Sequence, residues 1–490
     1  MMRHDVGSMG RNAAPVDDRA AVEAKFLAMI QGFKSRRPLI SAVGVVALTF
    51  AGQAAQAQPR PAPTIQAQPV IQPVPGAAQP PAAAGAPNAG MPVIQPLPLM
   101  EPEMVWTLRD AKDLLAVIER IGGEGLIPAD YRPDVLRAAI ASGEGDALNA
   151  AASKSFAWLA EDLRDGRTPM EARVQWFAVD PDREASPTDQ LMAKALETND
   201  VAGVLGGLAP THPDYKVLLA ELATTPASDK AKRELIRVNL DRWRWLKRDL
   251  GDVYLLTNVP EFQLRLTVKN NIIRSYRTVV GKPGRTATPQ LAETVTAVVF
   301  NPTWTVPQSI VKGEGLGAQL LRNPASARRQ GYKVAKGADG MITVVQQPGD
   351  NNALGRMKID MPNPHAIYLH DTPSKQYFNH PVRAYSHGCI RTEKAVELGM
   401  TMAILGAQMS KEEVNAISVS REYTKVPMTR TFPVYLTYFT MARDIDGVMK
   451  KFGDIYGRDK PVLASFNQPR QPKTTQRVSD EAIIKLDNPL

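Results

Sequence analysis

The spacing of hydrophobic residues changes once along the chain and divides the part after residue 103 into two regions. Between residues 104 and 250, apolar side chains recur every three or four positions, as at Leu108, Ala111, Leu115 and Ile118. This is the spacing of an amphipathic helix. It recurs at residues 155–163, 190–204, 215–222 and 231–246. The pattern predicts a helical domain over residues 104–250.

After Gly251 the pattern is one of short β-branched segments separated by turn residues, at 253–258, 263–268, 272–280, 294–300 and 341–346. These segments predict strands, so residues 251–459 are expected to form a mostly β domain and the whole chain an α+β protein. Residues 310–340 interrupt the strands with a basic, partly helical insertion. Such an insertion is a candidate lid over a substrate site, and a surface elaboration with no role in binding explains it equally well.

Two flanking segments lack the pattern of packed elements. Residues 58–103 are rich in Pro, Ala and Gln, with no charged residue between Arg60 and Glu101, a composition that predicts an extended tether rather than a core. Residues 460–490 are polar around the string QPRQPK at Gln468. We expect them to form a loosely ordered tail, to which we assign no function.

The N-terminal residues 1–57 have the order of an export signal. Basic residues at 34–37 precede an apolar stretch from Leu39 to about Gly52, and Ala55-Gln56-Ala57 follows as a cleavage site. The apolar stretch is shorter than the roughly 20 residues of a spanning helix, so we favour cleavage after Ala57 over an uncleaved membrane anchor. Translation from Met29 would give a signal of more conventional length. Residues 1–28 are then either the product of a start codon assigned too far upstream or a real extension. The expected location is the periplasm.

Composition adds limits on size and partners. With 490 residues, of which 44% are hydrophobic, the chain can bury a substantial core and form two or three domains. The formal net charge of +9 is compatible with binding to anionic cell-wall polymers, and equally with a solvated basic face. Dense Lys/Arg blocks and an aromatic-basic repeat are missing from the sequence, which argues against nucleic acid as a partner.

The candidate chemistry centres on Cys389, the only cysteine in the sequence. A lone cysteine cannot form an intramolecular disulfide, and an exported free thiol is a liability unless it has a function. His370 ends the apolar segment HAIYLHD nineteen residues earlier, and Asp371-Thr372-Pro373 predicts a turn directly after it. The imidazole is therefore expected at the edge of the sheet. A thiol and a histidine so placed suggest a nucleophile with its base.

The residues after Cys389 predict its local setting. Apolar side chains at helical spacing over residues 390–405 place Cys389 at the N-terminus of a predicted helix, where free amides and the helix dipole lower the pKa of a thiol. The amides of Gly388 and Cys389 would then face a tetrahedral oxyanion, and glycine lets the substrate approach the backbone. His387 is nearer in sequence, yet we expect His370 to activate the thiol.

Two alternative interpretations concern these and other polar or aromatic residues. Zinc ligands are available in His365, His370, Asp371, His387 and Cys389. Their spacing matches no common zinc pattern, so we expect neither a metal nor another cofactor. The cluster Trp243-Arg244-Trp245 would suit a carbohydrate platform, but tryptophans at the end of a helix more often pack between domains, and we favour packing.

The arrangement of a histidine, fifteen residues and then SHGCIR resembles the L,D-transpeptidase catalytic (YkuD) domain, which remodels bacterial peptidoglycan. Further strings resemble the larger YcbB-type branch of that family: NLDRWRWL at Asn239, VGKPGRTATP at Val280, NPTWTVPQSI at Asn301 and DIYGRD at Asp454. The resemblance covers roughly residues 104–459 and implies a helical scaffold domain before the catalytic domain. The peptidoglycan-binding module common in that branch has no counterpart here, so docking to the wall must come from elsewhere.

The resemblance implies a role for each matching residue. Cys389 corresponds to the nucleophile and His370 to the general base, and the backbone carbonyl of Asp371 corresponds to the third catalytic member. The other matching positions form the oxyanion hole or shape the site: Gly388 and Cys389 through their amides, and Ser386, His387, Arg391 and Tyr368. Arg391 replaces an asparagine of other branches, which leaves its exact role open.

The implied reaction is attack of Cys389 on the carbonyl between residue three and the terminal D-residue of a tetrapeptide stem, followed by 3→3 cross-linking. An amine of a protein acceptor would instead anchor that protein to the wall, and water would make the enzyme an L,D-carboxypeptidase or related cysteine hydrolase. A wall-binding structural protein with a vestigial site is the third alternative, against which the intact Cys389 and His370 argue. A thiol nucleophile also implies acylation by carbapenem-type β-lactams.

Overall fold

The computed structural model describes residues 104–178, 181–313 and 315–473, and within them a group of helices precedes the first strand. The predicted export signal and the Pro-rich tether lie outside the described residues. Across the described ranges, every helix is too short or too polar to cross a membrane.

Within the described residues, eight α-helices form the N-terminal region. They are α1 Leu108–Arg120, α2 Pro133–Ser142, α3 Asp146–Asp165, α4 Asp182–Ala185, α5 Thr188–Glu197, α6 Val201–Gly206, α7 Pro213–Thr224 and α8 Lys230–Arg244. The helical prediction is confirmed. Residues 190–204, however, form two helices, because Asn199 takes a left-handed φ of 51° and the Asp200 side chain caps α6 by accepting from the Gly203 N–H.

The β region begins directly after α8, and its strands are bounded as follows: β1 Val253–Asn258, β2 Gln263–Val268, β3 Asn271–Gly281, β4 Leu291–Phe300, β5 Trp304–Thr305, β6 Tyr332–Lys336, β7 Ile342–Gln346, β8 Met357–Asp360, β9 Leu369–His370, β10 Ala384–Ser386, β11 Ile390–Thr392, β12 Thr424–Thr437, β13 Met441–Arg443 and β14 Met449–Lys451. Nine of them form one sheet in the order β10-β3-β11-β9-β8-β4-β12-β1-β2. Since β2 also pairs with β3, the sheet closes on itself. This confirms the α+β prediction.

The insertion between β4 and β8 is a folded unit rather than a loop. It contains β5, three short helices and the hairpin β6–β7, with the helices at α9 Gln308–Gly313, α10 Leu316–Arg322 and α11 Pro324–Arg329. Its three strands form a separate sheet over a small core that includes Val306, Leu320 and Val344. We call residues 304–346 the insertion subdomain. The segment predicted as a strand at 341–346 belongs to it, and not to the main sheet.

Further helices pack on or follow the main sheet, at α12 Ala395–Ala407, α13 Lys411–Ser420 and α14 Asp459–Phe466. Leu398 and Met402 of α12 are fully buried against Val298 and Met357 of the sheet in one apolar cluster. Burial of a side chain of this size stabilises the fold by about 1.5–3 kcal/mol. This helix therefore anchors the back of the strands that carry the candidate site.

The tryptophans at the end of α8 pack between the helical and β regions. The Trp243 ring is stacked between His212, at 4.4 Å, and Phe439, at 4.6 Å, and only 3% of Trp243 is exposed. Trp245 is equally buried, with its ring 5.2 Å from Trp176. The packing interpretation is confirmed, because neither ring offers a face to a carbohydrate.

The segment after residue 459 differs from the loosely ordered tail that the sequence predicts. It begins with α14, and Arg470 then inserts beside α3, where it pairs with Glu161 at 2.5 Å and Asp162 at 3.2 Å. The guanidinium also lies 4.6 Å from the ring of Trp158. The prediction is therefore wrong for residues 460–473, because buried carboxylates distant in sequence hold this segment in place.

Candidate active site

Two short parallel strands position the candidate catalytic residues. In the pairing of β9 with β11, Leu369 lies opposite Ile390 and His370 opposite Arg391. Leu369 and Ile390 are fully buried in the core. Because side chains alternate across a strand, Tyr368, His370, Cys389 and Arg391 share the other face. We call these four residues the catalytic face.

The structure corrects the predicted setting of Cys389. Residues 390–392 form β11, and α12 begins only at Ala395, after Lys394 in the left-handed region at φ 50°. Ile390, the apolar residue after Cys389, belongs to the sheet, where it pairs with Leu369. Cys389 is therefore not at a helix N-terminus, and the prediction that a helix dipole stabilises its thiolate is wrong.

The loop before Cys389 is fixed by Ser386 and Gly388. Gly388 has φ 116°, and a Cβ there would lie 3.1 Å from Cδ1 of Ile367, so another residue would be strained. The Ser386 hydroxyl donates to the Cys389 carbonyl at 2.6 Å and accepts from the Gly388 N–H at 3.1 Å. One of the two predicted oxyanion-hole amides, that of Gly388, is therefore engaged by Ser386 in this structure.

The Cys389 thiol is held neutral by its surroundings. Burial raises the pKa of the thiol. Hydrogen bonding by the Tyr368 backbone and hydroxyl lowers this pKa in part, and so do the positive charges of Lys358 and Arg391. The Sγ atom lies 3.6 Å from the Ala366 carbonyl oxygen, to which the thiol donates. The balance favours a protonated thiol near neutral pH, with donors and positive charges already placed to stabilise a thiolate.

His370 is also neutral, and it is more enclosed than the sequence predicts. The residue is 5% exposed, so the imidazole does not face an open sheet edge, and the expectation of an edge position is wrong. Burial, followed by the charge of Arg391, lowers the pKa of His370 to about 3, while the Asp371 backbone favours the protonated ring. A backbone carbonyl that accepts a hydrogen bond from the imidazole would favour the protonated ring in this way. In this structure, however, Nδ1 of His370 is buried without a hydrogen bond of normal geometry.

Tyr368 contacts both catalytic candidates. Its ring centroid lies 5.5 Å from that of His370 in a T-shaped arrangement, and its hydroxyl lowers the pKa of the Cys389 thiol. The hydrogen bond that the thiol donates goes to Ala366 and not to the imidazole. Catalytic hydrogen bonds are often formed only when substrate binds, so this arrangement is a resting state of the nucleophile and base.

The carboxylate of Asp371 has a structural task, distinct from that of its backbone carbonyl. It accepts from the Arg356 N–H at 2.9 Å and pairs with Lys375. Gly355, at φ 61°, makes room for it, because a Cβ there would lie 2.5 Å from the Asp371 carboxylate. These contacts fix the turn after His370 and hence the position of the Asp371 carbonyl.

Lys358 is a site residue that the sequence analysis missed. It lies opposite His370 in the pairing of β8 with β9, with Nζ 4.6 Å from the centre of the Tyr368 ring. Asp360 holds the ammonium at 2.9 Å. Lys358 could have been found from the alternation of the apolar Met357 and Ile359 with the charged Lys358 and Asp360, which is typical of a strand. The sequence analysis did not predict this strand.

The remaining predicted residues take different places. Arg391 is half-buried on the catalytic face; its Nε has no hydrogen-bond partner, and its guanidinium carbon lies 5.9 Å from the Tyr377 ring centre. His387 is exposed beside Gly388. His365 packs against Phe177 with the ring centres 4.0 Å apart. Among the described residues, no three His, Cys, Asp or Glu side chains are grouped to hold a metal, so the zinc candidates are not brought together.

The insertion subdomain reaches the catalytic face through its first strand. Burial raises the pKa of Tyr368, and Trp304 of β5 lowers it in part by acting on the Tyr368 hydroxyl, the same hydroxyl that acts on Cys389. Trp304 also packs on the core of the subdomain. The candidate lid is thus joined to the nucleophile through one intervening side chain.

Known proteins resemble this chain at the level of both domains. The family model of the L,D-transpeptidase catalytic domain (YkuD) matches residues 252–399, and that of the Scaffold domain matches residues 100–222. A Haemophilus influenzae protein named "Putative L,D-transpeptidase" is 26% identical over 296 residues, which are 57% of this chain and 59% of that protein. The chain therefore spans about 59% of the length of this curated relative.

Solved L,D-transpeptidase structures align with the chain over a smaller part. One from Mycobacterium smegmatis is 14% identical, with a TM-score of 0.20, over 38% of this chain and 58% of that one. Another, an L,D-transpeptidase in complex with imipenem, is 12% identical, with a TM-score of 0.20, over 38% of this chain and 59% of that one.

Proposed function

We propose that this chain, which carries an L,D-transpeptidase catalytic domain and a scaffold domain, forms 3→3 cross-links in peptidoglycan through a thioester on Cys389. The observation that carries the proposal is the shared face of Cys389 and His370 on paired strands. A thiol and a neutral imidazole on adjacent strands are the two groups that acyl transfer requires. The substrate is the tetrapeptide stem of peptidoglycan.

Acylation begins with both groups uncharged. As the stem binds, the Cys389 thiol gives its proton to His370, and the sulfur attacks the carbonyl carbon of residue three. The bond from that carbon to the nitrogen of the terminal D-residue breaks, and the imidazolium returns the proton to the departing amine. The products are a free D-amino acid and a thioester on Cys389. Donors from Tyr368 and the charge of Lys358, which lower the pKa of the thiol, stabilise the negative sulfur during attack.

The acceptor decides the outcome of the second step. An amine of a neighbouring stem, deprotonated by His370, attacks the thioester carbonyl, releases the thiol and leaves a 3→3 cross-link. An amine of a protein acceptor gives a wall-anchored protein by the same chemistry. Water gives the alternative activity, that of an L,D-carboxypeptidase. The contact of Trp304 with Tyr368 supports transfer, because a subdomain closed over the thioester excludes water.

Lys358 and Arg391 are suited to bind the carboxylates of the stem. Both flank Cys389 and His370, and the Arg391 Nε is unpartnered. A guanidinium in this position forms charge-assisted hydrogen bonds with a carboxylate. The terminal D-residue carries such a group, which would orient the scissile carbonyl toward the sulfur.

The same nucleophile accounts for the proposed inhibitors, the carbapenem-type β-lactams. Attack of the Cys389 sulfur on the β-lactam carbonyl breaks the ring C–N bond and gives a thioester. The amine remains attached to the acyl group and cannot diffuse away, as the D-amino acid does. The location proposed for the enzyme is the periplasm, which the predicted export signal at residues 1–57 supports.

Product analysis tests the proposal. Purified protein is incubated with disaccharide-tetrapeptide, and the products are identified by mass spectrometry, with Cys389→Ala as the control. A cross-linked dimer with release of the D-amino acid is the expected result. A disaccharide-tripeptide alone would establish the carboxypeptidase instead. Products that are the same for the parent and for Cys389→Ala would exclude both enzymatic assignments.

A further inference from the structure

A partly exposed group of aromatic rings lies beside the catalytic face. Tyr377 and Tyr385 are stacked with their centres 4.8 Å apart, and His380 lies 5.4 Å from Tyr385. The Tyr385 hydroxyl and Nδ1 of His380 are 3.0 Å apart, which fixes the two rings relative to each other. We call these three residues the aromatic strip. It is held by the 3-10 turn Lys375–Asn379 and by β10.

The surroundings of the strip are polar. Gln376 and Asn379 are exposed amide side chains next to Tyr377 and His380 in the chain. Lys375 is paired with Asp371 and Arg277 with Glu393, whereas the Arg391 Nε has no hydrogen-bond partner. Aromatic faces pack against the C–H groups of a sugar ring, and amides suit its hydroxyl and N-acetyl groups. The Arg391 guanidinium complements a ligand that carries carboxylates.

The strip adjoins the catalytic face through Arg391. Arg391 follows Cys389 by two residues, and its guanidinium carbon lies 5.9 Å from the Tyr377 ring centre. Three stem residues between the sugar and the attacked carbonyl span roughly 10 Å when extended. A stem whose third residue lies at Cys389 and that runs past Arg391 would carry its sugar toward Tyr377 and Tyr385.

We propose that the aromatic strip binds the N-acetylated sugar that carries the donor stem, so that the catalytic domain itself docks on the glycan strand. The inference rests on the proposed function. It would supply a wall contact that the buried Trp243 and Trp245 cannot provide. The ligand is a hexosamine ring bearing an N-acetyl group and a carboxylate-containing peptide.

Matched substrates test this docking site. The kcat/KM values for disaccharide-tetrapeptide and for the free tetrapeptide are compared in the parent protein, in Tyr385→Ala and in Tyr423→Ala, a control at a tyrosine that is 52% exposed. The parent and the control should prefer the sugar-bearing substrate. In Tyr385→Ala the ratio of the two values should fall about five- to tenfold, mainly through KM, as expected for loss of one aromatic contact.

Direct binding keeps the test independent of turnover and of folding. The inactive Cys389→Ala protein is titrated with the disaccharide alone by calorimetry, and His380→Ala in the same background provides a second variant at an exposed position. Weaker binding of the disaccharide by Tyr385→Ala or His380→Ala, each in the Cys389→Ala background, supports the proposal. A substrate ratio equal in the parent and Tyr385→Ala, together with absent or unchanged disaccharide binding, would overturn it. An inactive parent protein that still binds the disaccharide through the strip would contradict only the proposed function.

Discussion

The ring of Tyr368 makes a T-shaped contact with that of His370, with the centroids 5.5 Å apart. The hydroxyl of the same tyrosine lowers the pKa of the Cys389 thiol, and Trp304 of the insertion subdomain in turn lowers the pKa of Tyr368. Tyr368 therefore joins the nucleophile, the base and the candidate lid.

Removal of that hydroxyl should slow the acylation of Cys389. In Tyr368→Phe the ring contact with His370 is retained, but the thiol loses a donor that lowers its pKa. We expect kcat to fall roughly 10- to 100-fold, as for loss of one donor that stabilises developing charge. The rate of alkylation of Cys389 by iodoacetamide, measured against pH, should shift to higher pH. Tyr423→Phe should leave the profile of the parent; an unshifted profile in Tyr368→Phe would remove the hydroxyl from the mechanism.

Lys358 should act in substrate binding more than in folding. Lys358→Met keeps the apolar stem of the side chain and removes the charge opposite His370. We expect KM for the tetrapeptide to rise about tenfold, since a charge-assisted hydrogen bond contributes about 1.5–3 kcal/mol. Lys425→Met is the matched control, because Lys425 also pairs with Asp360 but is 52% exposed. Equal KM values in the two variants would show that Lys358 does not bind substrate.

The buried His370 should make stability depend on pH. Its pKa is about 3 in the folded protein, against an ordinary value of 6.5. Below pH 6.5 the unfolded chain binds a proton that the folded chain does not, so stability falls as the pH is lowered from about 6.5 towards 3. Between pH 7.5 and 5 this group alone should cost about 2 kcal/mol, at about 1.4 kcal/mol for each pH unit below 6.5.

Urea unfolding of the parent and of His370→Gln at pH 7.5 and pH 5 measures that cost. The variant should lose about 2 kcal/mol less than the parent over this interval. The buried His212, whose pKa is about 4, is present in both proteins and cancels in the comparison. An identical pH dependence in the two proteins would mean that His370 is not held neutral by burial.

The segment after α14 should contribute to the stability of the helical region. Arg470→Ala leaves the fully buried Asp162 with fewer positive partners, and breaking a buried pair costs about 3–5 kcal/mol. The exposed pair of Arg421 and Asp350, at 3.5 Å, is the control, and Arg421→Ala should cost less than about 1 kcal/mol. Chemical denaturation of both variants tests the difference, and equal losses would show that the segment is only loosely attached.

Regular patterns explain why much of the fold could be predicted from the sequence. The bounds of β1 and β2 agree with prediction because each is a short run rich in apolar and β-branched residues between turn residues at Gly251, Val259-Pro260 and Lys269-Asn270. The helix predicted over residues 390–405 is present but begins only at Ala395, because a single apolar residue fits a helix or a strand equally well, and the pairing of Ile390 with Leu369 places it in a strand. Such pairing is a tertiary effect that local spacing does not carry.

Long-range contacts account for the other differences. Arg470 and Asp162 are 308 residues apart, so nothing in the polar composition of the tail reveals that it docks. Lys358 becomes a site residue only when β8 lies beside β9. Cys389 and His370 could be proposed from their sequence context and Tyr368 from the family resemblance, whereas the burial of His370 and the engagement of the Gly388 amide by Ser386 required the folded loop.

The thioester on Cys389 is the central claim, and intact-protein mass spectrometry after rapid acid quenching measures it directly. With disaccharide-tetrapeptide and no acceptor, the parent should gain the mass of the stem without its terminal D-residue, and peptide mapping should place this mass on Cys389. Cys389→Ser should gain none and lose nearly all turnover, because a serine hydroxyl beside His370 stays protonated near neutral pH. Turnover in the parent without any adduct on Cys389, or an equal adduct in Cys389→Ser, would contradict the account.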